Sequence, residues 1–259
     1  MNITRILQLQ IATSLLVLFA WVSPALAQSK IDSNPPCAEN TQAIKLLQID
    51  FPFAGSSKDE MNNTLQDLAQ SIAAYPGVIW KIWTVNEGTH EGGGIYLFED
   101  EASLNAYIPM HIERLKSSGV TSVNAKVFDI PEVLTAIARG QLTRHHAGAI
   151  TSNKPRADMR LLQMDFPFSG ADKEEMDRTL QDLSKSIAAY PGVIWKIWTV
   201  NAVTREGGGI YLFEDETSLH TYLQMHTERL KNLGVTTLNA KIFEVPEVLT
   251  EITHGPIPQ

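Results

Sequence analysis

A single cysteine, Cys37, stands in 259 residues. No internal disulfide can staple the chain, and no thiolate set can hold zinc. Basic residues are in the minority: 21 Lys and Arg against 29 Asp and Glu give a formal charge of -8. With no local basic patch to override it, that balance repels a phosphate backbone and excludes a nucleic-acid partner. Dinucleotide fingerprints, nucleophile elbows and haem-attachment motifs are missing. Gly92-Gly93-Gly94 precedes a strand instead of opening a helix, which rules out a phosphate loop and points to a hairpin turn. His145-His146 has no third fixed ligand beside it. Neither a cofactor nor a metal is therefore expected. What the chain does have, 44% hydrophobic against 19% charged residues, excludes disorder.

The first residues read as an address. Arg5 precedes an apolar run to Val22, and Ala25-Leu26-Ala27 is a small-residue cleavage pattern, so a signal peptide is expected over residues 1–27. The rival, an uncleaved membrane anchor, has a rather short apolar core at residues 11–22. Export to the periplasm and no membrane insertion after cleavage follow from the first reading. Residues 28–43, with Pro35-Pro36-Cys37, read as a flexible leader.

The rest is a repeat. Residues 46–137 align without a gap on residues 161–252 at an offset of 115, and 66 of the 92 pairs are identical. A unit of this length is a small domain, not a solenoid repeat. The expected organisation is one copy at 44–138, a linker at 139–158 and a second copy at 159–254. Period-2 apolar residues predict a strand over 44–53. Met61, Leu65, Leu68 and Ile72 predict a helix over 58–75, ended by Pro76-Gly77. Strands at 78–85 and 94–98 form a hairpin; a second helix covers 100–118, a fourth strand 120–128, and Pro131 opens a short helix. The order βαββαβ is the ferredoxin-like arrangement of the α+β class, with helices on one face of an antiparallel sheet.

Alternation within strands assigns two faces. Leu47, Ile49, Trp80, Ile82, Ile95 and Leu97 form a purely apolar set expected to pack on the helices. The other set, Gln48, Asp50, Lys81, Trp83, Tyr96, Phe98, Lys126 and Phe128, is too aromatic for water and too polar for an ordinary core. Copy 2 keeps these positions as Gln163, Asp165, Lys196, Trp198, Tyr211, Phe213, Lys241 and Phe243. Two such faces would cover each other if the copies closed into one intramolecular, pseudo-dimeric α/β barrel around an aromatic-walled pocket, the composition of a small-molecule site. An aromatic small molecule is the expected partner. The linker is long enough to allow pairing within a chain or between chains, and further oligomers remain open.

Pro-Gly-Val-Ile-Trp-Lys-Ile-Trp-Thr at 76–84, Glu-Gly-Gly-Gly-Ile-Tyr-Leu-Phe at 91–98, His111-x-x-Arg114-Leu115-Lys116 and Ala125-Lys126-Val127-Phe128 resemble the YdhR-type monooxygenase family over nearly the whole of each copy. The resemblance implies small ferredoxin-like proteins that pair as dimeric α/β barrels, akin to cofactor-free antibiotic-biosynthesis monooxygenases, with an oxidative role on aromatic or quinol-like compounds. This chain departs from that pattern by fusing two copies behind an export signal. On the combined reading, His111 or His226 removes a proton from a phenolic substrate while Lys81 or Lys196 holds the developing charge. Gln48, Asp50, Trp83, Tyr96, Phe98 and Lys126, with their copy-2 counterparts, bind the ring. Three bland readings stand beside these roles: ion pairing of the lysines with Asp50 or Asp165, histidines satisfied in the core, and aromatic interface packing. A non-catalytic carrier of aromatic molecules is the alternative function.

Overall fold

The computed structural model describes residues 43–53, 57–144, 150–168, 170 and 172–258. The expected signal peptide, Cys37, nearly all of the leader and His145-His146 lie outside them. Both copies fall within one compact unit, Gln42–Gln259.

Copy 1 runs β1 (Lys45–Pro52), α1 (Lys58–Thr64), α2 (Gln66–Ala73), β2 (Val78–Asn86), β3 (Glu91–Phe98), α3 (Glu101–Ser117), β4 (Asn124–Asp129) and α4 (Glu132–Ile137). Copy 2 repeats this as β5 (Arg160–Pro167), α5 (Lys173–Thr179), α6 (Gln181–Ala188), β6 (Val193–Asn201), β7 (Glu206–Phe213), α7 (Glu216–Asn232), β8 (Asn239–Glu244) and α8 (Glu247–Ile252). In each copy the order β4-β1-β3-β2, or β8-β5-β7-β6, makes an antiparallel four-stranded sheet. The architecture is thus α+β, with two ferredoxin-like domains. The helix expected over 58–75 is broken at Leu65, where the Gln66 side-chain amide donates to the Asn62 carbonyl at 3.0 Å. Asp100 caps α3 by accepting from the Ser103 amide at 2.7 Å.

Taken round both copies the strands follow in a ring, β1-β3-β2-β8-β5-β7-β6-β4. Each junction between copies, however, is a single residue pair, Val85 with Glu244 and Asp129 with Val200. The space between the sheets is filled by one apolar cluster that takes Leu46, Trp80, Ile82 and Leu97 from one copy and Leu161, Trp195, Ile197 and Leu212 from the other. The expected pseudo-dimeric barrel is therefore corrected. Two four-stranded sheets meet at single edge pairs, and what lies between them is a solid apolar core, not an aromatic-walled pocket.

The face assignment explains the error. Residues paired across strands point to the same side of a sheet, and the register is Leu47 with Tyr96 and Tyr96 with Lys81. Lys81, Trp83, Tyr96 and Phe98 therefore share the side of Leu47 and Ile49, under the helices. Trp80, Ile82, Ile95 and Leu97 face the other copy. Alternation alone places β1 and β4 on the correct sides and β2 and β3 on the wrong ones.

The copies also exchange their terminal helices. α4 packs on α6 and β6 of copy 2, and α8 on α2 and β2 of copy 1. The Trp83 amide donates to Thr250 Oγ1 at 3.2 Å and the Lys81 amide to the Thr253 carbonyl at 3.0 Å. In return, the Trp198 amide donates to Thr135 Oγ1 at 3.1 Å.

Candidate functional site

The predicted site residues separate into two groups. The first lies between sheet and helices in each copy. β2 supplies Lys81 and Trp83 from alternate positions, β3 supplies Tyr96 and Phe98, and α3 supplies Tyr107, His111 and Arg114 at helical spacing. Lys81 is 2% exposed, His111 2% and Tyr107 0%. Lys81 Nζ sits 3.1 Å from the centroid of the Trp83 ring and 4.7 Å from that of Tyr96, a cation–π geometry when the amine is charged. The Tyr96 hydroxyl and His111 Nε2 share a hydrogen bond of 2.9 Å, and the Tyr107 ring stacks on His111 with centroids 5.0 Å apart. Copy 2 repeats the arrangement, with Lys196 Nζ 3.1 Å from the Trp198 ring and Tyr222 stacked on His226 at 5.1 Å.

The glycine run acquires a use here. A Cβ on Gly94 would lie 2.6 Å from Lys81 Cε and 2.7 Å from the Ile82 carbonyl oxygen, and one on Gly209 would lie 2.5 Å from Lys196 Cε. The missing side chain makes room for the lysine stem across β3. The three glycines belong to strands, not to the hairpin turn.

Electrostatically the cluster lacks an anion. Among the described residues no carboxylate lies within ion-pair distance of Lys81, Arg114, Lys196 or Arg229. Burial, reinforced by the Arg114 cation, holds the Lys81 amine well below the ordinary lysine range. Burial, then Lys81 and Arg114, lowers His111 to about 3, and burial, Lys196 and Arg229 lower His226 to about 3. Both histidines are thus neutral near pH 7. Burial raises the Tyr96 and Tyr107 phenols. Four buried atoms of the cluster are left without a hydrogen-bond partner: Arg114 Nη1, His111 Nδ1, Trp83 Nε1 and the Tyr107 hydroxyl. A neutral amine beside a guanidinium, walled by aromatic rings, can take a proton from an acidic phenol and hold the resulting anion.

The second group, Gln48, Asp50, Lys126, Gln163, Asp165 and Lys241, lies on the side facing the other copy. Lys126 Nζ bonds Asp165 at 2.7 Å and Glu206 at 2.6 Å; Lys241 Nζ bonds Asp50 at 2.7 Å and Glu91 at 2.6 Å. Asn124 and Asn239 donate to the same aspartates. These four ion pairs clamp the copies together. The structural ion-pair reading therefore holds for Lys126 and Lys241, and it does not hold for Lys81 and Lys196.

Tyr107, Gly94, Thr250 of α8 and Thr253 just beyond it are the contributors that sequence reasoning missed. The spacing of Tyr107 from His111 by four residues was the available signal for the first. Arg114, part of the His111-x-x-Arg114 motif, falls within the helix-side cluster. A cleft of about 570 Å³, lined by Arg139, Ile150, Tyr190, Ile194, Trp195 and Glu214 among others, contains no predicted site residue. Among the described residues, no group of three or more His, Cys, Asp or Glu is placed to hold a metal ion, and no helix is long and apolar enough to cross a membrane.

The family described as "Putative mono-oxygenase ydhR" matches residues 46–141 and again 161–256. No curated protein matches the chain. Two solved structures resemble it in fold. A protein described as "Putative monooxygenase" from Fusobacterium nucleatum has a TM-score of 0.52 at 8% identity, covering 78% of this chain and 92% of its own. An anthrone oxidase-like protein has a TM-score of 0.51 at 13% identity, covering 80% and 92%.

Proposed function

The chain belongs to the ydhR mono-oxygenase family, and from that premise we propose that the helix-side clusters are cofactor-independent monooxygenase sites for phenolic or enolic aromatic compounds. The observation that carries this reading is a buried amine set beside a guanidinium, Lys81 with Arg114 and Lys196 with Arg229, held among aromatic rings with no carboxylate partner. A buried cation without a counterion is unfavourable, and an anionic substrate supplies the missing charge.

On this reading the Lys81 amine takes the acidic proton of the substrate, and the ammonium and Arg114 hold the phenolate or enolate. The substrate anion passes electrons to dioxygen, a carbon–oxygen bond forms, and the peroxide loses water to leave a carbonyl. In balance, a ring methylene and one dioxygen molecule give a ring carbonyl and one water: the methylene carbon is oxidised, and its two hydrogens leave on the second oxygen atom. His111, neutral at working pH, fixes the Tyr96 hydroxyl by their hydrogen bond and is not the resting base. Trp83, Tyr96, Phe98 and Tyr107 enclose the ring. Gln48, Asp50 and Lys126 have a structural role. The N-terminal segment supports export and a periplasmic site of action.

A solved structure named for anthrone oxidation shares the fold, which makes anthrone the first compound to try. The test is dioxygen uptake by the purified chain with anthrone and a panel of quinols, run beside Lys81→Met/Lys196→Met. Uptake abolished in the double variant is expected. Absent uptake, with tryptophan fluorescence still quenched by the same compounds, would replace the oxygenase by the aromatic carrier.

A further inference from the structure

We propose that Lys81 and Lys196 are nucleophilic amines that form imines with aromatic aldehydes, a carbonyl chemistry that goes beyond oxygenation and rests on the reading of the helix-side clusters as aromatic-ring sites. An amine attacks a carbonyl only through an unshared electron pair, so a lysine must shed its proton first. Two arrangements promote this: burial among apolar groups and a neighbouring cation. Lys81 has both. Its stem crosses β3 over Gly94, its Nζ lies against the Trp83 ring at 3.1 Å, and it is 2% exposed. Arg114 is the neighbouring cation.

The chain contains its own control. Lys126 and Lys241 stand on the same sheets, and each has two carboxylates at 2.6–2.7 Å that keep it an ammonium ion. Lys81 and Lys196 are denied such partners in both copies. The rings that receive a phenol also receive a benzaldehyde, whose carbonyl carbon is the electrophile.

In the addition step the Nζ electron pair forms a bond to the carbonyl carbon, and the carbonyl π pair moves to oxygen. Arg114 is the cation nearest the transient alkoxide. The two amine protons then leave with that oxygen as water, relayed by the Tyr96 hydroxyl in its hydrogen bond to His111, and a carbon–nitrogen double bond remains. No oxidant or reductant is consumed.

The test incubates the full chain near neutral pH with limiting benzaldehyde and sodium cyanoborohydride, which reduces only the imine, and maps benzylated lysines by peptide mass spectrometry. Labelling is expected at Lys81 and Lys196 above the exposed Lys116 and the paired Lys126 and Lys241. Each unit by which the amine titrates lower raises its neutral fraction about tenfold. Lys81→Met should remove its own adduct and leave that of Lys196. Label confined to exposed lysines in the folded chain, with all lysines labelled in urea, overturns the inference. Fluorescence quenching by 4-nitrophenol reads the aromatic site independently. If quenching occurs without labelling, the imine chemistry fails and the ring site stands; if neither occurs, both fail.

Discussion

Ser184 is the position where one hydroxyl group decides the most. It is fully buried, donates to the Leu134 carbonyl at 2.7 Å and accepts from Trp198 Nε1 at 3.1 Å. Ser184→Ala loses both bonds and strands an indole N–H in the interior. A net hydrogen bond contributes about 1 kcal/mol and an orphaned buried donor costs about 1–3 kcal/mol, so a loss of about 2–4 kcal/mol is expected. For a domain of this size that is a fall in Tm of roughly 4–16 °C. Copy 1 indicates a partial repair. There Ala69 occupies the equivalent site, Trp83 Nε1 has no partner, and Thr253, the counterpart of Ala138, shares its one hydroxyl proton between the Lys81 carbonyl at 2.7 Å and the Leu249 carbonyl at 2.9 Å. Ala138→Thr in the Ser184→Ala background should recover about 1 kcal/mol by supplying the Leu134 carbonyl again, and leave the indole penalty in place. In the parent the Leu134 carbonyl is already served by Ser184 and the Ala138 amide, so the new hydroxyl has only the Lys196 carbonyl to supply and the gain is smaller. Urea denaturation of the four proteins gives the coupling energy directly. A Ser184→Ala variant as stable as the parent, or zero coupling between the two sites, would refute the argument.

Three further outcomes follow from the geometry. Gly94→Ala should destabilise by about 1–3 kcal/mol through overpacking and weaken quenching by 4-nitrophenol, because Cβ would displace Lys81; unchanged quenching in a folded variant would detach the glycine from the site. His111 and His226 are held near 3 in the folded chain against about 6.5 unfolded. The unfolded state therefore binds more protons between those values, and stability falls with falling pH by about 1.4 kcal/mol per pH unit per histidine. Urea midpoints between pH 4.5 and 6.5 should show this slope, and His111→Gln/His226→Gln should flatten it. Lys126→Met leaves Asp165, 4% exposed, and Glu206 without their cation. It should cost about 3 kcal/mol, measured by the same denaturation, and Lys81→Met should cost less because no carboxylate is abandoned.

The element order was legible because it depends on local signals. The duplication, the Pro76-Gly77 stop and the apolar spacing of α3 act within a few residues. The pairing of faces was not legible, because alternation states which residues of a strand share a side and never which side. For β1 and β4 the polar residues Gln48, Asp50 and Lys126 mark the inter-copy face correctly. For β2 and β3 both sides are apolar enough to be buried, and Lys81, the one polar residue of its face, suggests the same alignment and misleads. Only the register, Tyr96 opposite Leu47, resolves the choice. The candidate site was therefore half visible: Lys81, Trp83, Tyr96, Phe98 and His111 come out of the sequence together, but with the inter-copy ion-pair residues that lie across the sheet from them. The exchange of terminal helices leaves no trace in periodicity, since a six-residue helix packs as well on its own copy as on the other.

That exchange explains how nearly identical halves come to differ in matched pairs. Each helix-side site is held by a helix from the other copy, so Ala69 and Ser184 answer not to each other but to Leu249 with Thr253 and to Leu134 with Ala138. In a symmetric pair of separate chains every one of these positions would be occupied twice by the same residue. A serine at the first would then have to coexist with a threonine at the second, with two hydroxyls competing for one carbonyl. Fusion removes the constraint. One half carries the hydroxyl on α6, the other carries it just beyond α8, and each Leu carbonyl gains one side-chain donor. The consequence falls on the sites: the Lys81 carbonyl accepts from Thr253 Oγ1 at 2.7 Å, Ala138 has no hydroxyl to offer Lys196, and Trp198 has the indole partner that Trp83 lacks. Lys81 therefore sits on the more firmly tethered strand segment and beside the freer indole, so the two lobes should differ in affinity for one aromatic ligand although their contact residues are the same.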